Sequence, residues 1–433
     1  MQTKTANFQL FIIAAFFILV LISGACSSKT SESTVKAAEE NVSPEAADKE
    51  INSVLKIIEK MPASPLGYVQ LSALYIKKAR ETGDFSLNTK AENAADRALE
   101  IEPQNLPARK LQASLNLTFH RFQTALELGQ KLQKELPNDA FVYGILTDAN
   151  VELGNYKEAI DAAQKMIDLK PNSASYARVA HLRSLYGDSK GAIEMMTLAA
   201  KTADPQDKEA QSWCLVQLGK EYFKTGDFAK AEKVFDESLQ IFPDYHLALT
   251  EKGIVRAAQN DFDSAVKYLT DSQNRVPLTE TIIILGDVYA KQNEAEKARR
   301  QYDLAEAVEQ KFGSTDLRRL ALLWADKDIK LDEALTIAER ENAVRRDIYT
   351  ADIYAWCLYK NGKFQEAKTA ITEALKLKTN DARILYHAGM IEKILGNKKE
   401  SSRFLQLAIK TNPAFDVLQA DDARAALQEL KQK

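Results

Sequence analysis

A short pattern returns along most of this chain at a nearly fixed interval, and no other feature limits the fold as strongly. Gly154-Asn155-Tyr156-Lys157-Glu158-Ala159, Gly226-Asp227-Phe228-Ala229-Lys230-Ala231, Asn260-Asp261-Phe262-Asp263-Ser264-Ala265 and Gly362-Lys363-Phe364-Gln365-Glu366-Ala367 are versions of one hexapeptide. Aligning its last, small residue gives a ladder of anchors: Ala91, Ala125, Ala159, Ala192, Ala231, Ala265, Ala298, Ala334, Ala367 and Ser401. Most steps are 33 or 34 residues, and the longest is 39. Of the 11 prolines, Pro103, Pro137, Pro171, Pro205, Pro243, Pro277 and Pro413 each stand twelve or thirteen residues past an anchor. A period of roughly 20–50 residues marks a stacked-repeat architecture. Composition agrees with this. The 433 residues include only 16 Gly and 11 Pro, too few to turn every hairpin of a sheet protein.

Each unit has a simple physical reading. Between Ser212 and Phe242, Trp213, Leu215, Leu218, Gly219, Tyr222 and Phe223 form an apolar stripe at helical spacing. Gly226-Asp227 breaks that helix. Phe228, Ala231, Val234, Phe235, Leu239 and Ile241 form a second stripe, and Pro243 stops it. Two amphipathic helices joined by a tight turn cannot bury both stripes alone, so neighbouring units must stack. Small residues such as Gly219, Gly253, Gly286 and Gly389 let the helices approach closely.

This pattern resembles the tetratricopeptide repeat, over roughly Pro62 to Pro413. The resemblance implies an all-α fold: a right-handed superhelical solenoid of about ten helix-turn-helix repeats. It also implies that the first helices line a concave groove that holds partner proteins or peptides. Carried over unit by unit, the groove candidates are Arg178, His181, Trp213, Lys220, Phe223, Lys224, Asp287, Tyr349, Asp352, Trp356, Tyr359, Tyr386 and His387. Trp324, one turn before an irregular loop, reads as core. Several units depart from the pattern. The first has a longer turn (Thr82 to Lys90), and one carries extra residues from Pro205 to Glu209. Ala325 to Lys330 replaces a glycine turn, Lys252 replaces a leucine, and Asn380 stands where a proline is expected.

The ends read as caps. Ser43-Pro44-Glu45 is a helix start with Pro at the first position, and the expected capping helix covers 43–61. Residues 62–416 form the array, and 417–433 form a last helix with a basic end suited to the helix dipole.

The N-terminus reads as an address. Leu10 to Ile22 is an unbroken apolar run, too short as a helix for a bilayer core of about 30 Å. With Ser23-Gly24-Ala25-Cys26 after it, residues 1–25 read as a signal peptide. Small residues before Cys26 resemble a bacterial lipoprotein signal, which implies acylation at Cys26; Ser23 stands where that family prefers Leu. Ordinary signal cleavage and an uncleaved anchor remain as alternatives. Residues 26–42 are polar and poor in large apolar side chains, which suits a flexible tether.

Other motifs are better read structurally. Gly187-Asp188-Ser189-Lys190-Gly191 fits the Gly-x-Ser-x-Gly nucleophile pattern, but it follows a helix, where the catalytic version needs a strand. His120, His181, His246 and His387 fall in separate units, so no metal or other cofactor is expected. Cys214 and Cys357 lie four repeats apart, too far for a disulfide. The 58 basic and 61 acidic residues nearly cancel, which gives no electrostatic footprint for nucleic acid. The expectation is therefore a non-enzymatic scaffold of the bacterial cell envelope. It is exported, lipid-anchored, and binds other proteins in the groove. Glycan binding through groove aromatics is the alternative, and a hydrolase or transferase is the more distant one. The partner, the oligomeric state and the choice of inner or outer membrane are not legible.

Overall fold

A computed structural model describes residues 44–312 and 316–432. The expected signal peptide, the tether and Cys26 lie outside these residues. Among the described residues there are twenty-two helices and no strand. The chain divides at Leu132 into two compact units.

The first unit contains α1 (Pro44–Lys60), α2 (Pro65–Thr82), α3 (Leu87–Ile101), α4 (Leu106–Thr118) and most of α5 (Phe122–Glu135). Helix α1 buries Ile51 and Val54, with Ile58, against Leu71, Ala94 and their neighbours. The second unit continues with α6 (Ala140–Glu152), α7 (Tyr156–Leu169), α8 (Ser173–Leu185), α9 (Ser189–Thr202), α10 (Lys208–Lys224) and α11 (Phe228–Ile241). Next come α12 (His246–Ala258), α13 (Phe262–Arg275), α14 (Thr279–Lys291), α15 (Ala295–Phe312), α16 (Arg318–Asp326) and α17 (Leu331–Val344). It ends with α18 (Ile348–Lys360), α19 (Phe364–Ala374), α20 (Ala382–Ile394), α21 (Lys398–Thr411) and α22 (Gln419–Gln432). Helices α2 to α21 thus form ten pairs. The last helix begins two residues later than the sequence suggests, because the Asp416 carboxylate accepts the Leu418 and Gln419 N–H groups at 2.8 and 2.9 Å and caps it.

Eight of the ten pairs are closed by the same local device. Five residues before the anchor, His120, Gly154, Gly187, Gly226, Asn260, Asn293, Gly362 and Gly396 all adopt φ between 56 and 79°. This left-handed residue lets the next N–H reach back to the preceding helix, as Asn155 does to the Asn150 carbonyl at 2.8 Å and Asp227 to Tyr222 at 3.0 Å. The residue after the turn often caps the second helix: Asp188, Asp227 and Asp261 accept N–H groups three residues on. The register of the ladder is visible in burial. Nine anchors are 0% exposed and Ala298 is 3%. They sit where paired helices touch, and before four of them a glycine twelve residues earlier (Gly219, Gly253, Gly286 and Gly389) faces that contact. A Cβ on Gly253 would lie 2.6 Å from the Leu269 Cγ, so the close approach requires the glycine.

The second unit winds until it meets itself. The N–H of Arg346 donates to the Glu152 carbonyl at 2.9 Å, and the N–H of Ile348 donates to the Tyr156 hydroxyl at 3.0 Å. Asn380 Nδ2 donates to the Gly187 carbonyl at 2.8 Å, and Asn412 Nδ2 to the Phe223 carbonyl at 2.9 Å. The side-chain bonds among these join residues 189 to 193 positions apart. Three successive inter-helix turns therefore dock on three later inter-repeat linkers, one circuit further on, along a continuous seam.

Candidate functional site

The inner face of the second unit is built by the first helix of each pair, because the anchors commit the second helices to packing behind them. Arg178 of α8 is buried and forks onto Asp148 of α6, with Nε to Oδ1 at 2.8 Å. Lys220 of α10 meets Glu251 of α12 at 2.8 Å. Lys224 pairs with Glu221 at 2.6 Å and donates to Ser184 Oγ at 3.2 Å. Glu280 of α14 is held down to about 2, first by the Lys220 ammonium and then by the Arg319 and Arg383 guanidiniums. Arg383 sits on α20 and Glu280 on α14, so charges on distant helices converge on one interior. The His181 ring of α8 stacks on Tyr349 of α18, with centroids 6.3 Å apart and planes at 7°. Burial, and then the charge of Lys224, keeps His181 neutral by pushing its proton affinity well below the ordinary value.

The C-terminal part of this face is aromatic and acidic. Trp356 is stacked between Tyr359 (4.8 Å) and His387 (4.1 Å). Its Nε1 donates to Asp326 Oδ1 at 2.7 Å, and Gln419 Nε2 reaches the same oxygen at 2.8 Å. His387 Nδ1 lies 2.9 Å from Asp352. Tyr386 packs on Phe415 at 5.6 Å. Asp287 binds Lys327 and accepts the Tyr302 hydroxyl at 2.6 Å; burial nevertheless raises it to about 6.

The thirteen groove candidates thus separate into groups. His181, Lys220, Lys224 and Tyr349 share one interior. Asp352, Trp356, Tyr359, Tyr386 and His387 share a second cluster. Arg178 and Asp287 sit in their own ion pairs. Phe223 packs on Phe228 at 5.3 Å, and Trp213 is only 8% exposed. Trp356 at 3% exposure and His387 at 0% are covered by stacking on each other and on Tyr359 and Tyr386, with Gln419 of α22 beside them, while Arg383 is exposed. Trp324 is buried and donates to Glu306 at 3.1 Å.

Sequence reasoning missed the acidic partners and the seam. At the seam, Arg345 bridges Glu152, Asp316 and Asp347, and Arg318 joins Asp316 and Asp347. A signal was present. Arg346 occupies the position twelve residues past an anchor where other units carry proline, and a proline there has no N–H to give Glu152. Asn380, another of the three lost stops, donates across the same seam.

The remaining motifs are structural. Ser189 opens α9 after the turn, and its neighbour Asp188 accepts the Gly191 N–H at 2.9 Å as a helix cap. Cys214 and Cys357 are both buried and neither is in a disulfide. Among the described residues, no group of three or more His, Cys, Asp or Glu is placed to hold a metal, and no helix is long and apolar enough to cross a membrane.

Comparison with known proteins bears on the repeats. Tetratricopeptide repeat profiles match residues 212–245 and 382–415. A TPR repeat-containing protein of Methanocaldococcus jannaschii is 23% identical over 398 residues, 84% of this chain and 67% of that protein. Anaphase-promoting complex subunit 3 of Schizosaccharomyces pombe is 23% identical over 239 residues, 52% of this chain and about a third (35%) of its own length. Among solved structures, the human IFIT1 dimer with PPP-AAAA covers 86% of this chain and 96% of its own at 14% identity, with a TM-score of 0.44. Yeast Tom70 covers 89% and 93% at 16% identity, with a TM-score of 0.35. Folds of this kind generally bind other proteins or peptides. The described residues are thus all-α, and at residues 212–245 and 382–415 the helix pairs match the tetratricopeptide repeat.

Proposed function

We propose that this protein is a non-enzymatic scaffold of the bacterial cell envelope, held on a membrane by a lipid on Cys26, that binds partner proteins on the inner face of its repeats. One observation carries the binding half of this reading: the first helices gather polar and aromatic side chains into two clusters, one around His181, Lys220, Lys224 and Tyr349 and one around Trp356 and His387. Such a surface offers charge pairs and rings to a polypeptide. The envelope half rests on the apolar run Leu10 to Ile22 followed by Ser23-Gly24-Ala25-Cys26. Acyl chains contribute about 0.8 kcal/mol per buried CH₂, enough in combination for stable anchoring. The glycan alternative has less support, because Trp213 and Trp356 are too buried to present an open ring to a sugar.

The test has two arms in the native cell. Cys26→Ser should move the protein from the membrane to the soluble fraction; a variant that stays on the membrane uncleaved refutes the lipid anchor. Photo-crosslinking residues placed at Lys224 or Arg383 should capture partner proteins that the same probe at Lys157 or Lys267, on outward helices, does not. Equal capture from both sets would refute the inner-face reading.

A further inference from the structure

Three carboxylates at the C-terminal end of the inner face are linked into one network. His387 Nδ1 of α20 lies 2.9 Å from Asp352 of α18, and its ring stacks on Trp356 at 4.1 Å. Trp356 Nε1 donates to Oδ1 of Asp326, the last residue of α16, at 2.7 Å, and Gln419 Nε2 of α22 donates to the same oxygen at 2.8 Å. The Gln419 backbone N–H donates in turn to Asp416 at 2.9 Å. An unbroken line of contacts therefore joins Asp352, Asp326 and Asp416 across four helices. Lys327, the residue after Asp326, is committed to Asp287. Asp326 and Asp416 are half-buried and Arg383 is exposed, so the network reaches solvent on that side.

The network is short of donors. All three carboxylates accept at Oδ1 alone, so Oδ2 of Asp326, Asp352 and Asp416 receives no bond from any described residue. Two more atoms inside the network are unmatched, His387 Nε2 and Gln419 Oε1, on side chains of residues 0% and 7% exposed. In the neutral imidazole Asp352 holds the proton on Nδ1, which makes Nε2 an acceptor. All five unmatched atoms are thus acceptors. The electrostatics agree. Burial raises Asp326; His387 and Lys327 act against that rise and Asp416 adds to it. Enclosure alone would lower the Arg383 guanidinium, yet it is raised, because Asp381, Asp352, Asp416 and Asp326 act on it together. Arg383 offsets their charge without occupying their free oxygens.

We propose that this network is a seat for an arginine side chain of a partner polypeptide, held first by the unclaimed oxygens of Asp326 and Asp416. The proposal rests on the scaffold reading above and names the chemistry of the partner. Charge selects a cation, because a phosphate or carboxylate would bring only acceptors and more negative charge. The number of acceptors selects a guanidinium, which carries five N–H donors in a planar fork where an ammonium carries three, and which takes a carboxylate by two bonds at once. Arg383 lies in the field of the same carboxylates, so it competes with the incoming group.

Fluorescence anisotropy with the full chain tests the seat. The probe is a dye-labelled peptide in which arginines are spaced by glycine and serine, with lysine and glutamine versions beside it. The arginine peptide should bind about tenfold more tightly than the glutamine peptide, and the lysine peptide should fall between them. Asp326→Asn keeps an oxygen for Trp356 and Gln419, and should weaken the arginine peptide about tenfold. Asp271→Asn, on α13, removes the same charge elsewhere and should leave binding unchanged. Arg383→Gln should tighten binding about two- to fivefold, a gain that misfolding cannot imitate. The seat is overturned if the arginine peptide binds no better than the lysine or glutamine peptide. It is also overturned if Asp326→Asn and Asp271→Asn act alike, or if Arg383→Gln weakens binding. The scaffold reading is decided separately: inner-face crosslinks to a partner segment without arginine would support the scaffold and refute this seat.

Discussion

Two glycines with the same backbone separate the seam from the repeat. Gly154 and Gly362 each occupy the left-handed turn position, at φ 75° and 73°. Alanine at either must adopt a conformation that costs roughly 1–2 kcal/mol. It also reduces the freedom of the unfolded chain, which returns about 0.4–1 kcal/mol. At Gly362 a Cβ meets nothing within 4 Å, so Gly362→Ala should cost only the difference, about 1 kcal/mol. At Gly154 the same atom would lie 2.6 Å from the Arg346 carbonyl oxygen, across the seam. That oxygen is backbone and cannot rotate away, which adds about 1–3 kcal/mol of overlap. Gly154→Ala should therefore lose about 2–4 kcal/mol, two to four times the loss at Gly362. Urea unfolding followed by tryptophan fluorescence would measure both, since Trp213, Trp324 and Trp356 all lie in this unit. Equal losses at the two glycines would refute the reasoning, because they would mean that the seam contact is not made in solution.

Three further outcomes follow from other parts of the fold. Ala231→Arg should prevent folding or lower stability by more than about 4 kcal/mol, because it drives a long charged side chain into a contact where the anchor is 0% exposed; thermal melting checks it. Thr250→Val should cost about 1–3 kcal/mol in urea titration, because Ser272 Oγ and Thr281 Oγ1, at 2.8 and 2.7 Å from the Thr250 hydroxyl, each lose a buried partner. Burial lowers His246 to about 4, so the unfolded chain binds its proton more readily between about 4 and 6.5, and this group makes stability rise with pH across that window, by up to about 3 kcal/mol. Asp287, raised to about 6 from 3.8, slopes the opposite way, its contribution falling as pH rises from 3.8 to 6. His246→Leu should therefore make stability rise less steeply with pH between about 4 and 6.5 than in the parent chain, and unfolding midpoints at pH 4, 5, 6 and 7 would show it.

The sequence made the repeat legible because the repeat is local. The anchors, the left-handed turn and the stop all lie within one unit, so spacing alone places Ala159, Gly154 and Pro171. At two of the three places where the stop is lost, the exception has a physical cause at long range. Arg346 and Asn380 stand where prolines were due because the seam needs donors, and nothing within 34 residues reports a partner that lies 193 positions away. The inner-face candidates were legible as positions but not as an assembly. Helical periodicity assigns Tyr349 to an inward face; it does not show that the ring will stack on His181. Their acidic partners, Glu221, Glu251 and Glu280, were invisible for the same reason, since a carboxylate on a first helix reads equally well as solvated surface.

The seam also changes what kind of folding problem this chain poses. A stack of repeats in which each unit touches only its neighbours can nucleate anywhere and fray from either end, one unit at a time. Bonds between Glu152 and Arg346, or Phe223 and Asn412, tie early pairs to late ones. Forming them closes a loop of nearly two hundred residues, an entropic cost that must be met before any of those bonds can form. Residues 133–432 should therefore assemble in two kinetic regimes: quick, local growth of pairs, followed by a slower ring closure that makes the finished array unfold more nearly as one body.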